Sequence, residues 1–389
     1  VRFEEAIDAA QFPTPQQSRA VKKSTVLLVD VDPRSPYQGE PVPLAFQWTA
    51  DATTFQPSNL LAIAPVPGFP LRPATTYALV LKEPLARKGS QELDWEADKA
   101  LTSVEATLRS LEVDLDEVAL VSTFTTQDPR AELAAVAREI HENLGMPGWD
   151  QEITLVEGLF LPCYVYQGYV DVPIWQRGQR PYRDEGGGFV FDATGKPEVQ
   201  GWERVRFTLT TPFDNMPASG WPVVIYGHGT GGDDLTIARR KEDEGPVLAR
   251  QGIAVLAIAQ PLHGDRATPE TDAELDSFNY LNPEAGRGNF RQGAADHIFM
   301  AELLTSRPPH FTSGGGDILL DPNRVAYFGH SQGGLSGGLA APFLAEDVQA
   351  VGFSGAGGVL ALTLELRKDP LDIQDLIESL LGFEETEEA

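Results

Sequence analysis

The residues best suited to chemistry lie in Gly329-His330-Ser331-Gln332-Gly333, a Gly-x-Ser-x-Gly pattern that directly follows the apolar run Arg324 to Phe328. A short strand feeding that pattern places Ser331 on a sharp strand-to-helix turn, where its hydroxyl can act as a nucleophile. The glycines answer a steric need: the flanking strand and helix leave no room for a Cβ at Gly329 or Gly333, and the serine takes a strained backbone conformation. A serine hydroxyl is a weak nucleophile at neutral pH and needs a histidine base oriented by a carboxylate. No histidine follows Ser331. The pattern recurs at Gly334-Leu-Ser336-Gly-Gly338. There it falls inside the helix expected after Ser331, so Ser336 and its glycines are read as close helix–strand packing.

The elements that must position the serine come in two parts. Residues 1–128 read as an all-β sandwich. Its strands are Ser24–Asp30, Leu44–Thr49, Thr75–Leu81 and Thr123–Thr126, and one helical stretch interrupts them at about 94–111. Residues 129–149 read as a connecting helix with Pro129 in its first turn. Leu133, Val136, Ile140 and Leu144 share a face, Gly145 and Pro147 end it, and His141 is expected at a surface or interface. From 150 to 389 the pattern is α/β. Strand-like segments at 152–161 and 204–211 flank a half-hairpin at 188–195. Three unbroken apolar runs follow at 222–226, 252–259 and 324–328, separated by helical stretches. Such runs imply a mostly parallel sheet covered on both faces. After Ser331 come one more strand, Val348–Phe353, two helical stretches at 359–366 and 369–381, and an acidic run.

Composition sets outer limits. A chain of 389 residues points to two domains. Acidic residues outnumber basic ones 57 to 30, and the net charge of −27 repels phosphate backbones and anionic membranes. No nucleic-acid partner is expected, and the acidic balance is read as solubility, or as life outside the cell or in salty surroundings. Cys163 cannot form an intrachain disulfide, being the single cysteine, and is read as a buried small hydrophobe. No apolar run is long enough to span a bilayer. The start at Val1, without methionine or a signal-type segment, is read as a mature or trimmed N-terminus. The six histidines show no metal-ligand spacing, so neither a metal nor a cofactor is expected. The glycines of 227–232 lack the Gly-Lys-Ser/Thr ending of a phosphate loop.

Val223-Val-Ile-Tyr-Gly-His-Gly-Thr-Gly-Gly232, Gln260-Pro-Leu-His-Gly-Asp-Arg266 and the 324–334 segment together resemble bacterial secreted lipases and esterases of the α/β-hydrolase superfamily. Pro70–Val80 and Asp116–Gln127 resemble the Ig-like N-terminal module found in such lipases. The resemblance implies ester hydrolysis through an acyl-enzyme on Ser331. The oxyanion would be held by backbone N–H groups of Gln332 and of the loop at Gly229 and Thr230. It also implies an ester or lipid-like substrate, a bacterial secreted or cell-envelope location, and structural roles for His228 and His330. The neighbours His263/Asp265 and Asp296/His297 are each discounted as a base–acid unit, and His310 is placed in a loop.

The superfamily's triad runs Ser, then acid, then His, and the last two are not found after Ser331. Three explanations stay open. Acid and base could lie in a further C-terminal piece of the same precursor, held as a second chain. An unusual base such as His228 or His263 could serve. The domain could be a degenerate hydrolase kept for surface or assembly contacts.

Overall fold

In the computed structural model the described residues are 1–389 apart from 4–5, 8, 54–55, 84, 86–96, 144, 146–147, 315, 359–361, 363–365, 369–371 and 382–389. The chain divides into two compact units, Val1–Pro129 and Arg130–Ala389.

The first unit holds a short helix, α1 (Pro15–Ser18), strands β1 (Val26–Asp30), β2 (Leu44–Thr49), β3 (Leu60–Pro65) and β4 (Thr76–Lys82), helix α2 (Ala97–Ser110) and strand β5 (Val118–Thr125). β1, β4 and β5 form one antiparallel sheet in that order, and β2 and β3 form another. Leu28, Leu44, Leu61, Tyr77, Leu81 and Leu120 pack in one core that both sheets share. Leu27, Val29, Val80 and Val121 point the other way, onto Val104 and Leu108 of α2. β1 is therefore buried on both faces, which its unbroken Val-Leu-Leu-Val run requires. The helical stretch expected at about 94–111 is α2, a 14-residue helix that closes the outer face of the β1-β4-β5 sheet, because that face is as apolar as the inner one.

The second unit opens with α3 (Ala131–Glu142), followed by β6 (Thr154–Leu155), β7 (Tyr164–Ile174), β8 (Gly201–Thr211) and β9 (Trp221–Gly227). Then come α4 (Glu244–Ala249), β10 (Ala254–Ile258), α5 (Ala273–Phe278), α6 (Pro283–Ser306), β11 (His310–Ser313) and β12 (Gly316–His330). α7 (Gln332–Ala340), β13 (Ala350–Ser354) and α8 (Ile373–Leu381) end the series. The sheet order is β6-β7-β8-β10-β9-β12-β13, with β11 paired to the start of β12. β6, β7, β8 and β10 are joined by antiparallel pairings, whereas β10, β9, β12 and β13 run parallel.

Residues alternate across this sheet. Ala254, Leu256 and Ile258 of β10 meet the core that also contains α3 and α6, while Val255 and Ala257 meet α4 and the 3₁₀ turn Asp234–Ala238. Leu133, Val136, Ala137 and Ile140 bury α3 in the same core as α6, so this helix is built into the second unit instead of serving as a detached connector. Cys163 lies in the smaller core, and burial pushes its thiol up to about 11. The expected 152–161 strand shrinks to two residues, and the long strand is β7. His310 sits on β11 and not in a loop, 3.0 Å from Asp317 across the hairpin. The expected helical stretch at 359–366, most of the start of the 369–381 stretch, and the acidic run lie outside the described residues. No described helix is long and apolar enough to cross a membrane.

Candidate active site

β12 ends at His330 and α7 begins at Gln332, leaving Ser331 alone at the corner with φ +50° and ψ −113°. Residues with a Cβ rarely take that conformation and hold it only when their surroundings impose it. The surroundings are backbone on backbone. A Cβ on Gly333 would sit 2.8 Å from Gly227 Cα and closer still to its carbonyl. One on Gly329 would sit 2.6 Å from the Gly333 carbonyl carbon and 2.9 Å from Gly334 N. The two glycines thus let α7 start directly against the ends of β9 and β12. Ser331 N–H donates to the Ser354 carbonyl at 2.8 Å, which ties the corner to β13 as well.

The loop after β9 lies against the serine. A Cβ on Gly229 would be 3.2 Å from Ser331 Cβ, a tight contact that a side chain there could make only if the corner gave by a few tenths of an ångström. Thr230 Oγ1 donates to Gln332 Oε1 at 2.8 Å, linking this loop to the first residue of α7. Gly333 N–H is used on the His228 carbonyl at 2.9 Å, whereas no described carbonyl takes the Gln332 N–H. Gly229, Thr230, Gln332, Gly329 and Gly333 are therefore brought together around Ser331.

His228 is fully buried and both its nitrogens are engaged. Nε2 accepts from Gln260 N–H at 2.8 Å, and Nδ1 lies 2.7 Å from the Gly229 carbonyl. With Nε2 accepting, the proton resides on Nδ1 and is given to that carbonyl. Burial drives its pKa down to about 3, so the ring stays neutral and braces the loop. Gln260 Nε2 donates to the His228 carbonyl, and Ser336 Oγ donates to Gln260 Oε1 at 2.8 Å. Ser336 is itself fully buried, with His297 Nε2 at 3.3 Å. The second Gly-x-Ser-x-Gly serine belongs to packing.

The remaining histidines are also accounted for. His263 Nδ1 lies 3.0 Å from the Pro261 carbonyl, while Asp265 accepts from Arg206 N–H at 3.1 Å, so the two are not paired. Asp296 is bound to Arg266 at 2.6 Å and Gln292 at 2.8 Å, not to His297, whose pKa burial lowers to about 3. His330 is exposed and faces Ser354 Oγ at 3.3 Å. His141 binds Glu302 and His310 binds Asp317. None of the six histidines makes a hydrogen bond to Ser331 Oγ. Among the described residues, no His, Cys and carboxylate cluster able to hold a metal includes an elbow residue.

Two residues that the sequence reading passed over help hold this loop. Gln260 bridges His228 and Ser336, and Asp234 takes Arg206 at 3.0 and 2.8 Å, Thr208 at 2.7 Å and Gln167 at 3.2 Å. Asp234 follows the glycine loop by two residues, and a buried carboxylate there is signalled only by arginine and threonine on β8, which the fold brings beside it.

No protein-family model matches the chain. Among solved structures, an acetyl xylan esterase from Paenibacillus sp. R4 is 19% identical with a TM-score of 0.34, covering 59% of this chain and 61% of that one. Acetyl xylan esterase 1 from Thermoanaerobacterium sp. JW/SL YS485 is 16% identical with a TM-score of 0.39, covering 66% and 68%. The peroxisomal α/β-hydrolase Lpx1 from Saccharomyces cerevisiae is 16% identical with a TM-score of 0.31, covering 51% and 46%. The match thus spans about three fifths of the first esterase, and likeness this remote carries no argument about activity. The sheet order, with antiparallel strands leading into β10-β9-β12-β13 and a strand–serine–helix corner after β12, gives the second unit the α/β-hydrolase fold.

Proposed function

We propose that the protein is a serine hydrolase of carboxylic esters. Ser331 Oγ attacks the ester carbonyl, and the oxyanion that forms is held by the N–H of Gln332 and by the Gly229–Thr230 loop. The serine proton passes to a base and on to the departing alkoxide, which leaves as the alcohol; the acyl group stays on Ser331, and water then releases it as the carboxylic acid and restores the hydroxyl. The observation that carries this reading is the backbone of Ser331: φ +50° and ψ −113° on a serine at a strand-to-helix corner, sustained by glycine contacts on both sides.

The base is the missing part. His228 has both nitrogens engaged, and His263 is separated from Asp265, so neither supports the unusual-base explanation. The base and acid of this reading are therefore groups other than His228 and the His263–Asp265 pair. A bacterial extracellular or envelope location and an ester or lipid-like substrate go with this reading. Cell fractionation with an antibody to the chain checks the first of these.

The test is labelling by a fluorophosphonate probe and hydrolysis of short and long acyl esters, each compared with Ser331→Ala. Added imidazole should speed ester hydrolysis by the wild type above the rate with Ser331→Ala, by standing in for the absent base. If native material isolated from its source neither labels nor differs from Ser331→Ala, the hydrolase reading fails. That no histidine is hydrogen-bonded to Ser331 Oγ would then favour a degenerate domain used for binding.

A further inference from the structure

α3, α6 and the loop before β13 bring His141, Glu302 and Asp347 together, with one ligand-type atom of each within 4.8 Å of the others. His141 Nδ1 is 2.9 Å from Glu302 Oε2, and its Nε2 is 3.9 Å from Asp347 Oδ2. The Glu302 and Asp347 side chains are only 12% and 8% exposed, and that of His141 is 26% exposed. Ser306 donates to Glu302 Oε1, and Thr305 Oγ1 donates to Asp347 Oδ1 at 3.4 Å. Each carboxylate therefore keeps its second oxygen for the shared centre. At Asp347 that oxygen, Oδ2, is buried and has no hydrogen-bond partner.

A buried carboxylate oxygen without a hydrogen bond is costly, and His141 Nε2 at 3.9 Å faces it from beyond hydrogen-bonding distance. One cation placed between the three groups would relieve that cost. We propose that His141, Glu302 and Asp347 form a binding site for a divalent transition-metal cation of the Zn²⁺ kind. An imidazole donor beside two carboxylates favours such an ion over Mg²⁺ or Ca²⁺, which take oxygen ligands. Three protein ligands leave a position for water, and the exposed edge of His141 opens to solvent. Tetrahedral ligands at bonds of about 2.0–2.1 Å lie roughly 3.3–3.5 Å apart, so side-chain rotation must bring one ring nitrogen of His141 and the two carboxylates, now within 4.8 Å of one another, onto a single ion. The ion would pin α3 to α6 and to the loop entering β13. The site shares no ligand with the elbow, and its existence does not depend on the proposed hydrolase activity.

The test is isothermal titration of tag-free, EDTA-stripped full-length protein with ZnSO₄ and, separately, CaCl₂. One Zn²⁺ per chain is expected, with the melting temperature rising about 5 °C at roughly 100-fold excess over Kd. Asp347→Asn and Glu302→Gln keep shape while removing charge, and each should weaken Zn²⁺ by about 10- to 100-fold or more. His310→Asn controls for an exposed imidazole and should change nothing. Absence of Zn²⁺ binding overturns the proposal, as does affinity that Asp347→Asn and Glu302→Gln leave untouched. Ca²⁺ binding as tight as Zn²⁺ overturns the choice of ion. If Asp347→Asn does not fold by circular dichroism, Glu302→Gln and His141→Asn decide the matter.

Discussion

Two glycines on the same helix should respond to the same substitution in opposite directions. At Gly333 a methyl group would meet Gly227 backbone, 2.8 Å from Cα and nearer to the carbonyl, and neither side can rotate away. At Gly338, five residues later in α7, nothing lies within 4 Å and the position is exposed. Gly338→Ala should stabilise by about 0.5–1 kcal/mol, because alanine gives up less chain entropy in a helix. Gly333→Ala must push α7 away from β9, and forced overlap of this kind costs about 3 kcal/mol or more. With roughly 2–4 °C per kcal/mol for a domain of this size, the first variant should melt about 1–4 °C higher and the second at least about 6 °C lower. Melts followed by circular dichroism, with urea titrations to obtain free energies, give both numbers. A Gly333→Ala protein within about 0.5 kcal/mol of wild type would refute the account of the elbow. So would equal losses at the two positions.

Other outcomes follow from the same geometry. Ser331→Gly should melt about 2–12 °C above Ser331→Ala, since glycine relieves a conformation costing roughly 1–3 kcal/mol; equal melts would remove the strain argument. His228 and His297 titrate near 3 in the folded chain, below the ordinary value of 6.5, so the unfolded chain binds protons that the folded chain refuses. Their contribution to stability is complete above pH 6.5 and declines as pH falls toward 3. In His297→Gln the slope of unfolding free energy against pH between about 4 and 6 should drop by roughly one proton, or 1.4 kcal/mol per pH unit. An unchanged slope would mean that His297 is not held neutral. Asp234→Asn leaves Arg206 without its counter-charge and should cost about 3 kcal/mol in urea titrations; a cost under about 1 kcal/mol would show that the pair is not structural.

What could be read from the sequence was what is decided locally. Gly329 and Gly333 declare the elbow because their need for a missing Cβ arises within one turn of Ser331. The runs at 222–226 and 252–259 declare parallel strands because burial on both faces demands unbroken apolar residues. β7 escaped notice because Gln167, Gly168, Asp171 and Pro173 break its pattern. Its identity comes from full-length pairing with β8, where the space a Cβ at Gly168 would need is filled by the Phe207 ring. The first half of β12 was lost behind Pro322, since its pairing with β11 and the register shift near 320–325 arise from other strands. Histidine roles were decided at distance: the partner of His228 Nε2 is the N–H of Gln260, 32 residues away. The cluster of His141, Glu302 and Asp347 draws on three separate elements, so rules that look for paired ligands on one element pass over it.

The approach of Gly227 to Gly333 also bears on the order of folding. These backbones lie 106 residues apart in sequence, and their contact can form only after β9 and β12 are side by side. Long-range closures of this kind come late, because loop entropy must be overcome before any contact rewards it. The twisted serine backbone is thus a property of the finished sheet: a partly assembled chain would carry Ser331 in a relaxed turn. Reactivity at that one hydroxyl, followed during refolding, would then report completion of the central parallel strands and lag behind the appearance of helix.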